Sequence, residues 1–396
     1  MTDLELARAK LSAGGYTCVL CRDDVIHTAT ARGVRPLVDW LDSGLDLRGF
    51  SAADKVVGRA TAFLYVLLGV KAVHALVMST PARQALEANG IDAACDREVA
   101  GIINRRGDGP CPFEDAVLGI SDPEEALCAI RKKQFVMLQP PEIAAHTAGR
   151  DFTLDRTGLS GSTVAIYGDF VVKCEPVSEE SENQLAMLRW LDGKLIAPRV
   201  LDTTVHNGFR WTRMTRISGE MACADVYRAD PHRLVRILAE AMKQLWTVDL
   251  SGCPVDQRPG AKLARAKSIV ENGQVNMDLV DPETFGEEGF SSPAELLSWL
   301  EAHAPACAPV LTHGDFCLPN LFLKDWQFSG FLDLGRSGAG DRWTDIAICW
   351  RTLQDNFGGH YGEAVPGFHP DELFDALGIE KDEERLRYYL LMDELF

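Results

Sequence analysis

The spacing of apolar and polar positions predicts an α/β opening to this chain. Leu4 to Leu11 has the period of a short helix, and after the Gly14-Gly15 break Tyr16 to Cys21 reads as a strand. Arg22-Asp23-Asp24 turns the chain into Val25 to Thr30, a hairpin partner. Leu37 to Asp42 and the alanine-containing run Ala53 to Leu68 predict helices, and Ala72 to Met78 predicts a strand. Pro81 to Asn89, stopped by Gly90, and Asp122 to Lys132 predict two further helices. Such alternation predicts an α/β sandwich over residues 1–134, with 135–150 as a linker stiffened at Gln139-Pro140-Pro141.

Beyond the linker the pattern changes. Residues 151–217 predict strands around a glycine- and hydroxyl-rich turn, Asp155 to Thr163, followed by Phe170 to Cys174 and the helix Ser181 to Leu191. Residues 218–396 are mainly helical. Pro231 to Leu250 places Leu234, Ile237, Leu238, Ala241 and Leu245 on one face, Lys262 to Val270 is a second helix, and Glu383 to Phe396 a third. Asn276 to Glu288 is rich in Asp and Glu, has little apolar period, and predicts a solvated loop.

The large helical part is interrupted by the stretch around which the chain is organised, LTHGDFCLPNLFLKDWQFSGFLDLGR, residues 311–336. Two apolar runs, Leu321-Phe322-Leu323 and Phe328 to Leu332, predict a hairpin about a Lys-Asp turn. Asp315 lies in the loop before it, Asn320 follows five positions later, and Asp333 lies in the loop after it. Protein kinases use this order for phosphoryl transfer: a catalytic-loop Asp, an Asn on magnesium, then a second Asp on magnesium. Asp315 can accept the proton of an attacking hydroxyl, and Asn320 and Asp333 offer the hard oxygens that Mg²⁺ prefers. Lys173, on the predicted strand Phe170 to Cys174, stands where a kinase keeps its phosphate-binding ammonium.

Charge and cysteine content narrow the partners. With 40 basic against 58 acidic side chains the net charge is −18, which disfavours nucleic acid and anionic membrane and favours cationic partners. Eleven scattered cysteines suggest no disulfide framework, so a reducing cytoplasm is expected. The polar MTDLELARAK is unlike a secretory signal, and the most apolar run, Ala60 to Val77, contains Tyr65, Lys71 and His74, too mixed to span a bilayer. Cys18-x-x-Cys21 has no second pair, and on a strand its side chains face opposite ways, so it reads as core. Nothing in the pattern fixes an oligomeric state.

The string HGDFCLPN…FSGFLDLGRSGAGDRWTDIA resembles the signature of aminoglycoside 3'-phosphotransferases, bacterial antibiotic-resistance kinases, from about Gln139 to the closing YYLLMDELF. The resemblance implies an α+β, two-lobed, protein-kinase-like fold, ATP and Mg²⁺ as cofactors, and a cationic small molecule as acceptor. It implies that Asp315 is the catalytic base, that Asn320 and Asp333 are the metal ligands, and that Lys173, Ser160, Ser162, Gln184 and Ile217 lie around the nucleotide. It further implies that Glu283, Glu287, Asp393, Glu394 and the terminal carboxylate of Phe396 receive the ammonium groups of the acceptor. One departure matters. The family places a Glu six residues before the tryptophan matching Trp190, and this chain has Gln184 there. Glu182, two residues away, is rotated by roughly 200° around the helix and should point elsewhere.

The first third resembles an uncharacterised family with a deaminase-like fold, through DKVVGRATAFLYVLLGVKAVHA and GPCPFEDAVLG. A deaminase carries H-x-E…P-C-x-x-C for its zinc. Here Pro110-Cys111 is followed by Pro112-Phe113-Glu114, the second Cys is missing, and no H-x-E precedes it, so a zinc site lacks its ligands. The expected function is therefore ATP-dependent phosphorylation of an aminoglycoside 3'-hydroxyl. The alternatives are a weakened kinase-like nucleotide sensor coupled to the first domain, or a kinase for choline or a sugar.

Overall fold

The computed structural model describes residues 1–104, 106–155, 161–286, 289–361 and 363–396, which form two units, Met1–Gln139 and Pro140–Phe396. The first unit begins with α1 (Asp3–Ala13), closed at its start by a capping box between Thr2 and Glu5. There follow β1 (Cys18–Arg22), β2 (Val25–Ala29), α2 (Arg35–Asp42), β3 (Ser51–Val57), α3 (Arg59–Leu67), β4 (Ala72–Ser79), α4 (Thr80–Ala88), β5 (Asp92–Val99), α5 (Pro112–Ala116) and α6 (Pro123–Leu138). The sheet order is β2-β1-β3-β4-β5, with β1 antiparallel to both neighbours and β3, β4 and β5 parallel. Helix α1 covers one face, where Ala7 and Leu11 meet Val19, Cys21 and Ala53. On the other face Cys18, Leu20 and Ala52 share a core with Leu37, Phe63, Leu64, Leu86 and Ile130. Cys18 and Cys21 thus lie on opposite faces, each as a core residue.

Three details differ from the reading of the sequence. Residues 53–57, expected as the start of a helix, belong to the central strand β3, and the helix begins only after Gly58. Strand β3 lies between β1 and β4, and its fixed place there overrides the helical preference of its alanines. Strand β5 was not anticipated, because its alternation of exposed and half-buried positions, DAACDREV, is too polar to read as a strand. Helix α6 continues to Leu138, because Gln134 to Leu138 are compatible with helix and the break comes only at Pro140. The expected linker over 135–150 is therefore mostly helical, made of the end of α6 and of α7 (Pro141–Thr147).

The second unit opens with an antiparallel sheet of order β6-β7-β8-β10-β9, made by β6 (Thr153–Asp155), β7 (Thr163–Ile166), β8 (Phe170–Pro176), β9 (Val200–His206) and β10 (Phe209–Thr215). Helix α8 (Glu179–Leu191) lies between β8 and β9 in sequence and buries Met187, Leu188 and Leu191. The rest comprises β11 (Glu220–Met221), α9 (Asp225–Arg228), α10 (Pro231–Trp246), β12 (Asp256–Gln257), α11 (Pro259–Glu271), α12 (Pro293–Ala302), β13 (Val310–Thr312), β14 (Leu321–Lys324), β15 (Gln327–Phe331), β16 (Gly338–Gly340), α13 (Trp343–Phe357), α14 (Glu372–Leu377) and α15 (Glu383–Asp393). Leu234, Leu238, Ala241 and Leu245 of α10 are all buried in this unit's core. The hairpin β14–β15 turns at Asp325 and Trp326, whose φ values of 51° and 61° suit a two-residue primed turn. No helix among the described residues is long and apolar enough to cross a membrane.

Candidate active site

The loop from β13 to β14 is held from beneath by a buried carboxylate. Asp345, in the first turn of α13, accepts the backbone N–H groups of His313 and Gly314, each at 2.8 Å. His313 is fully buried, and burial lowers its pKa. Its Nδ1 accepts from the N–H of Asp315 at 3.3 Å and its Nε2 lies 2.8 Å from the carbonyl of Leu332, so the neutral ring, protonated on Nε2, satisfies both contacts. His313 therefore ties the loop of Asp315 to the loop of Asp333. Gly314 sets their distance. Its φ is +84°, and a Cβ there would come within 1.9 Å of the Arg336 carbonyl oxygen.

Asn320 ends a short 3₁₀ turn, Leu318–Asn320, and donates its Nδ2 to Asp315 Oδ2 at 2.8 Å and to the Asp315 carbonyl at 3.1 Å. This fixes the rotamer of Asp315 and turns Asn320 Oδ1, on the other arm of the amide, away from it. Asp333 has φ +52°, a strained setting for a residue other than glycine, and its Oδ1 lies 3.2 Å from Lys173 Nζ. Gly335 allows close packing on α8, since a Cβ there would meet Glu180 Cγ at 2.6 Å.

Lys173 on β8 is buried, with Nζ 2.7 Å from Gln184 Oε1 on α8 and 2.9 Å from Glu175 Oε2 on its own strand. Burial pulls the pKa of this ammonium down, but Asp333 and Glu175 outweigh that effect and hold it above the ordinary lysine value. Glu182 is paired instead with Arg210 of β10. Glu175 was missed in the sequence. The available signal was its spacing, because i and i+2 on a strand point to the same face.

Ile217 is half-buried after β10, and its Cγ2 lies 3.0 Å from where a Cβ of Gly330 would stand. Ser162 is half-buried immediately before β7, whereas Ser160 and Glu287 lie outside the described residues. Glu283 is exposed, its N–H donating to Asp281. The acids of α15 do not stand open as the sequence suggested. Asp393 pairs with Arg351 and Arg336, and Glu394 pairs with Arg351 while accepting the N–H of Asp281 at 2.8 Å. Burial works to raise the pKa of Asp393, but Arg351, Arg336 and Lys262 hold it below the usual range. Acids at the C-terminal end of a helix oppose its dipole, and the paired arginines offset that cost here. Phe396 lies with Lys262, Arg265, Arg336, Glu179 and Glu180 on a cavity of about 380 Å³.

Asp345 and Arg351 are partners that the sequence did not fully reveal. The sequence shows Asp345 only as an acid opening a helical run, and Arg351 carries no signal there because it meets its acid 42 positions away. Together the site offers a fixed carboxylate (Asp315), two oxygen donors (Asn320 and Asp333) and a buried ammonium (Lys173). Carboxylate and amide oxygens suit a magnesium ion, and the ammonium suits phosphate.

Comparison with known proteins agrees with this chemistry. Residues 6–134 match a model described as a domain of unknown function, DUF1893. Over 217 residues the chain is 34% identical to an aminoglycoside 3'-phosphotransferase of Enterococcus faecalis, covering 54% of this chain and 78% of that protein. It is 33% identical over 265 residues to one from Niallia circulans, covering 65% of this chain and 97% of that protein. A solved aminoglycoside phosphotransferase of Streptomyces rimosus, in complex with ADP and streptomycin, superposes with a TM-score of 0.54 at 26% identity, covering 66% of this chain and 97% of that one. The second unit thus has the kinase-like fold of those enzymes, and residues 151–373 match the model of the phosphotransferase enzyme family. With that match spanning more than half of its length, the chain belongs to the phosphotransferase enzyme family.

Proposed function

We propose that this protein transfers the γ-phosphate of ATP to a hydroxyl of a cationic small molecule, the 3'-hydroxyl of an aminoglycoside. The observation that carries the reading is the joining of Asp315, Asn320 and His313 to the Asp333 loop in one hydrogen-bonded frame, with Lys173 on Asp333. Asp315 accepts the hydroxyl proton as the new O–P bond forms and the bond to the leaving ADP breaks. Asn320 keeps the Asp315 carboxylate in one rotamer, which limits the reorganisation needed at that moment. Asn320 Oδ1 and Asp333 would hold Mg²⁺, which supplies charge neutralisation on the phosphates. Lys173 binds phosphate oxygens through its ammonium. Glu283 and the Phe396 carboxylate are the acids we assign to the acceptor's ammonium groups, since Asp393 and Glu394 are already paired with arginine.

Asp333→Ala tests the metal assignment. It is expected to lower turnover by at least about 100-fold, the scale of losing one electrostatic group in a phosphoryl-transfer site. It should also remove the magnesium dependence of ATP binding. ADP release with kanamycin or neomycin, measured across a magnesium titration, checks both effects. Native magnesium dependence in the variant would remove Asp333 from this role. The alternative of a weakened nucleotide sensor drew on the neutral Gln184, and the proximity of Glu175 to Lys173 argues against it.

For the first unit we infer a deaminase-like frame without deaminase chemistry. Support comes from the start of α5 at Cys111-Pro112 meeting the start of α3, where Glu114 accepts the N–H of Arg59. The zinc signature of deaminases sets its ligands on two such stretches.

A further inference from the structure

The ionic partner of the nucleotide lysine lies on an unexpected element. Kinases pair this lysine with a Glu of the following helix. Here the helix presents Gln184, which approaches Lys173 with a neutral oxygen at 2.7 Å. Besides Asp333 at 3.2 Å, negative charge comes from Glu175, at 2.9 Å and two residues along the same strand. Lys173 is buried and Glu175 half-buried, with side-chain exposures of 9% and 12%, so the contact is little screened by water. The basic residue opposite Glu175 in the sheet, Arg210, is engaged by Glu182, so among the described residues Glu175 pairs with Lys173.

Resting on the phosphotransferase reading above, we propose that Glu175 is a positioning residue that takes over the ionic role of the helix glutamate. It holds the Lys173 ammonium toward the nucleotide phosphates from within β8. The physical need is clear. Without Glu175, a turn of Asp333 to a metal would leave Lys173 only the neutral Gln184 oxygen, and a buried cation with no counter-charge is costly. Glu175 keeps a counter-charge in place through that exchange. Because lysine and acid share one strand, their distance does not depend on the position of α8. In a kinase with a helix-borne acid, displacement of that helix breaks the pair.

The test is a charge transposition in the full-length protein. Glu175→Gln is expected to lower kcat/KM for ATP by about 10- to 100-fold, the scale of one charge-assisted hydrogen bond. Adding Gln184→Glu, which returns the acid to the helix, should recover most of that loss. Gln184→Glu alone should give little gain, since the lysine already has its acid. Thermal melts of all variants show whether the Glu175→Gln loss follows unfolding, and a purely structural role for Glu175 would leave the loss unrescued by a charge on α8. Unchanged or raised turnover in Glu175→Gln, no recovery in the double variant, or a large gain from Gln184→Glu alone would each overturn the proposal. If the native protein turns over no acceptor, the aminoglycoside reading fails on its own. The same variants are then compared by Mg·ATP affinity, where weakening by Glu175→Gln and recovery in the double variant support the proposal and equal affinities overturn it.

Discussion

Replacing Asp315 by Asn is expected to reduce phosphoryl transfer by about 10²- to 10⁴-fold, the range contributed by a positioned general base. The substitution keeps the size of the side chain and an oxygen able to accept from Asn320 Nδ2, now at 2.8 Å from the carboxylate. What it removes is the group that takes the proton. Lys173, Asp333 and the loop around Ile217 are untouched, so Mg·ATP should bind as before while turnover collapses. ADP release with an aminoglycoside, set beside ATP affinity by calorimetry, separates the two effects. Turnover near the native rate would remove Asp315 as the base. Loss of ATP binding in the same variant would place its role in assembling the nucleotide site instead.

The second large effect is expected at Asp345. It is fully buried and accepts two backbone N–H groups, from His313 and Gly314. Asp345→Ala leaves both donors without that acceptor, which should cost about 2–5 kcal/mol. Scanning calorimetry of the full chain is expected to show the transition of the Pro140–Phe396 unit falling while that of Met1–Gln139 holds. An unchanged second transition would mean that the loop finds other acceptors. Acid–base behaviour gives a companion test. Burial pushes the Asp345 carboxyl up from the usual 3.8 to about 7, although its two N–H donors and Lys262 oppose the shift. The folded unit therefore binds a proton that the unfolded chain has released. The stabilisation is complete below about pH 4 and is lost as pH rises through about 7. In Asp345→Asn this part of the pH dependence should disappear; an unchanged slope between those values would assign it to another group.

How much of this was legible in the sequence depended on how local each feature is. Asp315, Asn320 and Asp333 occur on one continuous stretch, so their order and the hairpin between them could be read from alternation, although the turn falls on Asp325-Trp326, one residue beyond the expected Lys-Asp pair. The family resemblance set Gln184 toward Lys173 and the helical angle turned Glu182 away, and in the structure Gln184 meets Lys173 while Glu182 meets Arg210. Features set by long-range packing were not readable in that way. The alanines of β3 look helical until β1 and β4 are seen beside them. The closing acids looked like open receptors because Arg336 and Arg351 are brought to Asp393 only by the fold.

Gly314 carries a consequence for anyone diversifying this protein. Its missing side chain lets the backbone of the Asp315 loop rest against the backbone at Arg336, with 1.9 Å between the site of a Cβ and the carbonyl oxygen. A library that randomises this position should return glycine alone, because no rotamer of any other residue avoids a clash made by the Cβ itself. Tolerance to mutation should rise again at Glu283, whose exposure leaves room for different side chains. New acceptor preferences are therefore to be sought in the walls of the site, with the junction of its two loops left fixed.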